Sequence, residues 1–124
     1  MKKFNISLVL MTKRGVKPDF FKSLGLDIRQ LNNRSCGNEV LWRLDSGLPQ
    51  NSSLKQQFKA LYRLIPFQKL DGIKDIHAYL DIGMFFDTAM CSLQIPPDCL
   101  ALLDNSGLTI EVTCYPCEES KPNN

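Results

Sequence analysis

The stretch Ile76-His77-Ala78-Tyr79-Leu80-Asp81-Ile82-Gly83-Met84-Phe85-Phe86 decides the fold. Ile76, Ala78, Leu80, Ile82, Met84 and Phe86 fall on one side of an extended chain, and His77, Tyr79, Asp81, Gly83 and Phe85 on the other. A period of two sustained this long specifies a central strand with one apolar face and one mixed polar and aromatic face. The apolar face must be covered by something, and the rest of the chain supplies the cover.

Upstream, Leu54, Phe58, Leu61, Tyr62 and Ile65 recur at helical spacing, with Lys55, Lys59 and Arg63 on the opposite face. The segment predicts a helix starting after Ser52 and ended by Pro66. Glu39 to Asp45 alternates Val40, Trp42 and Leu44 inward with Leu41 and Arg43 outward. Lys3 to Met11 alternates Phe4, Ile6, Leu8 and Leu10 against Asn5, Ser7, Val9 and Met11. Arg29 to Asn38 is polar and rich in turn residues, and reads as a connection. Downstream, a short strand is expected through Cys91 to Gln94. A last strand is expected over Leu108 to Tyr115, with Leu108, Ile110, Val112 and Cys114 inward.

One frame occurs twice. Val16-Lys17-Pro18-Asp19 leads to Gly25-Leu26-Asp27-Ile28, and Pro96-Pro97-Asp98 leads to Gly107-Leu108-Thr109-Ile110. Proline at the first helical position lacks only an N–H that would be unsatisfied there, aspartate suits the positive helix end, and glycine permits a left-handed stop. Each copy predicts a short helix with a tight exit. The resulting order β, α, β, α, β, β, α, β predicts a single α+β domain over residues 1–117. Its sheet is mainly antiparallel, of four to five strands, with helices packed on one face. Residues 118–124 are expected to form a disordered tail.

Composition agrees with a globular domain. The 124 residues are 44% hydrophobic and 23% charged, and no apolar run approaches the roughly 20 residues needed to span a bilayer. The start, Met1-Lys2-Lys3-Phe4-Asn5-Ile6-Ser7, reads as a first strand and not as a leader, because polar residues interrupt its apolar stretch. Five cysteines, Cys36, Cys91, Cys99, Cys114 and Cys117, make an odd set, so reduced thiols in a cytoplasmic protein are expected. The formal charge of +2 conceals a gradient. Residues 1–70 hold 13 Lys and Arg against 4 Asp and Glu, a net of +9, and residues 71–124 hold 2 against 9, a net of −7. Such segregation steers charged partners if the fold preserves it, and vanishes if strands from the two halves interleave.

No reaction is written in the sequence. His77 is the sole histidine, and on a strand it stands about 13 Å from Asp81, beyond hydrogen-bond reach. Cys114-Tyr115-Pro116-Cys117 places two thiols with two residues between them, but at the end of a strand and before Glu118-Glu119, where a thiolate is disfavoured. No second pair of cysteines at that spacing completes a zinc site. Phosphate-loop, dinucleotide and metallohydrolase motifs are missing. The sequence therefore predicts no catalytic residue, no metal and no cofactor.

What remains is a surface. With helices on one side, the other side carries Ser7, Arg43, His77, Tyr79, Asp81, Phe85, Glu111, Thr113 and Tyr115. Tyrosines that anchor and charges that steer are the composition of a protein-binding face. Tyr79, Asp81, Phe85, Asp87, Glu111 and Tyr115 are the expected partner contacts. The competing expectation is nucleic-acid binding through the Lys55, Lys59 and Arg63 stripe, and a homodimer through an exposed sheet edge stays open.

The succession Pro18-Asp19 to Leu24-Gly25-Leu26, Trp42-Arg43-Leu44, the helix Leu54 to Ile65 and the close Gly107-Leu108-Thr109-Ile110 to Tyr115 resembles the bacterial domain of unknown function 4279 family, over about Phe4 to Tyr115. The chain is also similar to small immunity proteins of contact-dependent or secreted bacterial competition systems. The resemblance implies a cytoplasmic protein that binds and neutralises a cognate toxin domain, and it brings no catalytic residues with it.

Overall fold

Lys2–Lys13 forms strand β1, the middle strand of the sheet, flanked by strands on both sides from Ser7 to Thr12. The structure is a computed structural model and describes residues 2–117. After β1 come α1 (Pro18–Ser23), a 3-10 turn at Ile28–Gln30, β2 (Asn32–Cys36), β3 (Glu39–Asp45) and α2 (Leu54–Leu64). A second 3-10 turn at Phe67–Leu70, β4 (Ile76–Phe86), α3 (Pro97–Leu102) and β5 (Thr109–Pro116) follow. The five strands make one sheet in the order β2-β3-β1-β4-β5. Every neighbouring pair is antiparallel except β4 and β5, which run parallel. The expected α+β architecture is therefore present, with the parallel pair made by a crossover through α3.

Both copies of the proline-aspartate frame form six-residue helices opening on proline, at Pro18 and Pro97. Gly25 and Gly107 follow them with φ of 80° and 69°, the left-handed region in which a Cβ is strained. The exits then differ. The first leads to a 3-10 turn capped by the Asp27 carboxylate, and the second leads directly into β5. Helix α2 begins with a capping box, in which Ser53 Oγ accepts from the Gln56 N–H at 3.1 Å and Gln56 Oε1 accepts from the Ser53 N–H at 2.9 Å.

The core lies between the helices and one face of the sheet. Ile6, Leu8 and Leu10 of β1, Trp42 and Leu44 of β3, and Leu80 and Ile82 of β4 meet Phe21, Phe58, Leu61 and Cys99 from the helices. Gln57 sits among these apolar groups, 1% exposed. Strand β3 stops at Asp45, opposite Ser7, so the first residues of β1 lack a strand neighbour on that side. Gln57 supplies one. Its Oε1 accepts from the Ile6 N–H at 3.0 Å and its Nε2 donates to the Phe4 carbonyl at 2.8 Å. Trp42 Nε1 likewise donates to Thr12 Oγ1 at 2.9 Å, so the buried indole N–H is satisfied.

Three local expectations are corrected. Asn32–Cys36 is strand β2 and not part of a connection. As an outer strand exposed over nearly all its length, it has no buried face and hence no alternation to reveal it. It is joined to β3 by Gly37-Asn38, with Gly37 at φ 63° in the first loop position. Cys91 to Gln94 is not a strand. Cys91, Leu93 and Ile95 are partly buried while Ser92 and Gln94 are exposed, so the alternation reports an extended segment resting on the core without joining the sheet. Val112 and Cys114 are exposed, not inward, because β5 is the outermost strand and the helices do not reach over its second half. The expected tail at 118–124 lies outside the described residues.

Candidate protein-binding face

The side of the sheet away from the helices is laid out by the strand registers as a series of rows. One row runs Asp45, Ser7, Asp81, Glu111 across β3, β1, β4 and β5. The next, toward one end, runs Asn32, Arg43, Val9, Tyr79, Thr109 across all five strands. Toward the other end lie Asn5, Gly83 and Thr113, and then Lys3, Phe85 and Tyr115. All nine residues expected on this side are there. Of the six expected contacts, Tyr79, Asp81, Phe85, Glu111 and Tyr115 share the face within these adjacent rows, and Asp87 follows the last residue of β4.

The centre of the face is a polar cluster built around Ser7, which is fully buried. Ser7 Oγ donates to Asp45 Oδ1 at 2.5 Å and accepts from Arg43 Nη1 at 3.1 Å. The same Arg43 nitrogen reaches Asp81 Oδ2 at 3.3 Å. The other Asp81 oxygen, Oδ1, is buried and accepts no hydrogen bond among the described residues. Arg43 thus ties β3 to β4 across β1, a role that sequence could not show because its two partners, Ser7 and Asp81, lie on two other strands. Beside the cluster, burial disfavours the phenolate of Tyr79 and pushes its pKa up, and the nearby carboxylates of Glu111 and Asp81 push in the same direction.

The aromatic part of the face depends on a glycine. Phe85 and Tyr115 stack with ring centroids 4.8 Å apart and planes 14° from parallel. A Cβ at Gly83 would stand 3.4 Å from Tyr115 Cε2 and 3.5 Å from Phe85 Cε2. Both rings therefore lean across the place that a side chain would fill, as aromatic neighbours do over a strand glycine. Tyr115 remains 44% exposed. The result is a stacked aromatic platform next to the Asp81 and Glu111 carboxylates.

The charge gradient survives folding. Strands β1, β2 and β3 adjoin one another on one side of the sheet, and the acidic half contributes β4 and β5 on the other, so the halves do not interleave. On the helix side the basic stripe is partly compensated. Asp98 of α3 bridges Lys55 at 2.8 Å and Lys59 at 3.6 Å. The Lys55 ammonium holds the Asp98 carboxyl below its ordinary range.

The remaining chemical groups stay apart. Cys114 is opposite Met84 in the ladder, on the other side of the sheet from His77 and roughly 23 Å along β4 from it, at about 3.3 Å per residue. Cys99 is buried, and burial raises its thiol pKa. Glu39, Asp75 and His77 line an open groove at one end of the sheet together with Lys13 and Arg14. Among the described residues no group of three or more His, Cys, Asp or Glu is placed to hold a metal ion, and no helix is long and apolar enough to cross a membrane. No family model matches the chain, and no curated protein and no solved structure is similar to it, so the family resemblance rests on the motifs alone.

Proposed function

We propose that this protein acts by binding another protein through the helix-free face of its sheet, as an immunity protein that neutralises a cognate toxin domain in the cytoplasm. The observation that carries the reading is the juxtaposition of the Phe85–Tyr115 stack with Asp81 and Glu111 on one face. Aromatic anchors give affinity where they are desolvated, and flanking charges set on-rate and orientation. The acids favour a cationic partner surface, such as that of a toxin that engages nucleic acid. Nucleic-acid binding by this chain itself is the weaker reading, since Asp98 offsets Lys55 and Lys59 in the stripe that would serve it.

The test is co-production with toxin domains encoded beside this chain, measuring complex formation and relief of growth arrest. Wild-type chain is expected to bind one such domain and restore growth. The combined change Glu111→Lys and Tyr115→Ala is expected to lose both effects while the fold is kept. Absence of binding and rescue by the wild type rejects the reading, and full rescue by the double variant moves the contact off this face.

A further inference from the structure

The two outer strands of the sheet are built very differently. Strand β2 is five residues long, wholly polar but for Cys36, and carries Arg34. Strand β5 is eight residues long, pairs with β4 over its whole length without a bulge, and contains no lysine or arginine. Its proline stands only at the last position, Pro116. Outer strands are ordinarily protected from pairing by shortness, bulges, lysine or an interior proline. β2 is protected by its shortness and by Arg34, whereas the only charge along β5 is the carboxylate of Glu111, although Val112 is 41% and Tyr115 44% exposed.

The phase of the strand says what its outer edge offers. The Cys117 N–H donates to the Phe86 carbonyl at 2.6 Å, so odd-numbered residues turn their backbone groups toward β4. Because those groups alternate sides along a strand, the N–H and C=O groups of Ile110, Val112 and Cys114 point outward. Among the described residues no further strand pairs with them. The side chains alternate as well, with Glu111 and Tyr115 on the helix-free face and Ile110, Val112 and Cys114 on the helix side.

We infer that β5 is a docking edge that takes an extended segment of a cationic partner protein as a sixth strand. The inference rests on the protein-binding reading above and names the mode of contact. The choice of occupant follows from charge. Residues 75–117, which include β4, α3 and β5, contain six Asp or Glu and no Lys or Arg. A second copy meeting this edge with its own β5 would bring acid to acid. An incoming strand that alternates basic and apolar residues meets Glu111 with one set and the Ile110, Val112, Cys114 row with the other, while its backbone fills the outward groups.

The test follows amide hydrogen exchange by NMR in the full chain, with and without a blocked octapeptide of alternating Lys and Val. The corresponding Glu and Val peptide is the control. The amides of Ile110, Val112 and Cys114 are expected to exchange rapidly alone and to slow at least tenfold with the Lys-Val peptide only. Those of Glu111, Thr113 and Tyr115 are expected to be slow in both states. Val112→Pro removes an outward N–H and no bond to β4, so it is expected to abolish the protection while leaving the protection of β4 intact. Protection that is absent, falls on β2, or persists in Val112→Pro overturns the inference. Concentration-dependent protection without peptide assigns the edge to a second copy and overturns the choice of occupant. Should a toxin domain bind and Val112→Pro retain full affinity, the edge fails while the protein-binding reading stands.

Discussion

The two faces of this sheet are made by the same strands and handle polar groups in opposite ways. Beneath the helices, Gln57 is buried among leucines and phenylalanines and has both ends of its amide committed to the backbone of β1. On the helix-free face, Ser7 is equally buried, yet its partners are charged side chains, Asp45 and Arg43. The covered face uses polarity to finish a strand that β3 leaves unpaired, and contributes to stability. The other face uses it to hold a set of charges in place beside the Phe85–Tyr115 stack, on the surface proposed above for contact. Buried side chains whose loss opens a cavity should therefore separate cleanly from exposed ones whose loss alters only recognition.

The largest effect should come from the covered face. Phe58→Ala removes a fully buried ring at the centre of the core. It is expected to cost about 3–5 kcal/mol in denaturant unfolding. A loss below about 1 kcal/mol would mean that the helices are not packed as described. Gln57→Met keeps the volume but strips both hydrogen bonds from β1. It is expected to cost about 1–3 kcal/mol, with faster amide exchange at Ile6. If stability is unchanged, the amide is not acting as a strand neighbour.

On the helix-free face the order of effects reverses. Tyr115→Ala should change stability by about 1 kcal/mol, since the ring is half exposed on an outer strand. It should weaken binding of the cognate domain by about 30-fold, corresponding to the roughly 2 kcal/mol of an interface anchor. Equal losses in stability and affinity would erase the distinction between the faces.

The smallest effect concerns Tyr79. Its raised pKa means that the folded state keeps the phenol proton at pH values where the unfolded chain has lost it. Stability should therefore fall as pH climbs past the ordinary tyrosine value of 10.0 through the higher folded one. Glu111→Gln should lower the Tyr79 pKa in a phenolate absorbance titration without returning it to the ordinary value, because burial is the larger cause. An unchanged titration would show that Glu111 does not act on this face.

Much of this design can be read from residues near one another in the chain. The alternation of Ile76 to Phe86 yields both faces of β4 with its observed bounds, and the two proline-aspartate frames yield α1 and α3. Strand β2 is invisible for a physical reason, as a strand without a buried face leaves no periodic trace. The extended segment at Cys91 to Gln94 misleads for the converse reason, since one-sided burial alternates whether or not a ladder forms. Val112 and Cys114 repeat the lesson. Their parity is right for the core side, but the helices end before reaching them.

Side-chain type and period, then, are enough to say that the strands are two-faced, that helices cover one face, and that tyrosines and acids gather on the other. Which strand lies beside which, that Gln57 bonds to a residue 51 positions earlier, and that Arg43 spans from β3 to Asp81 follow from the folded arrangement. The reason is one of range. Periodicity reports whether a residue faces water or the interior, a property of its own position, whereas strand order and cross-strand bonds are set by the competition among distant segments for the same neighbours. The outer edge of β5 belongs to that second kind, because a strand becomes an edge only when no other segment has paired with it.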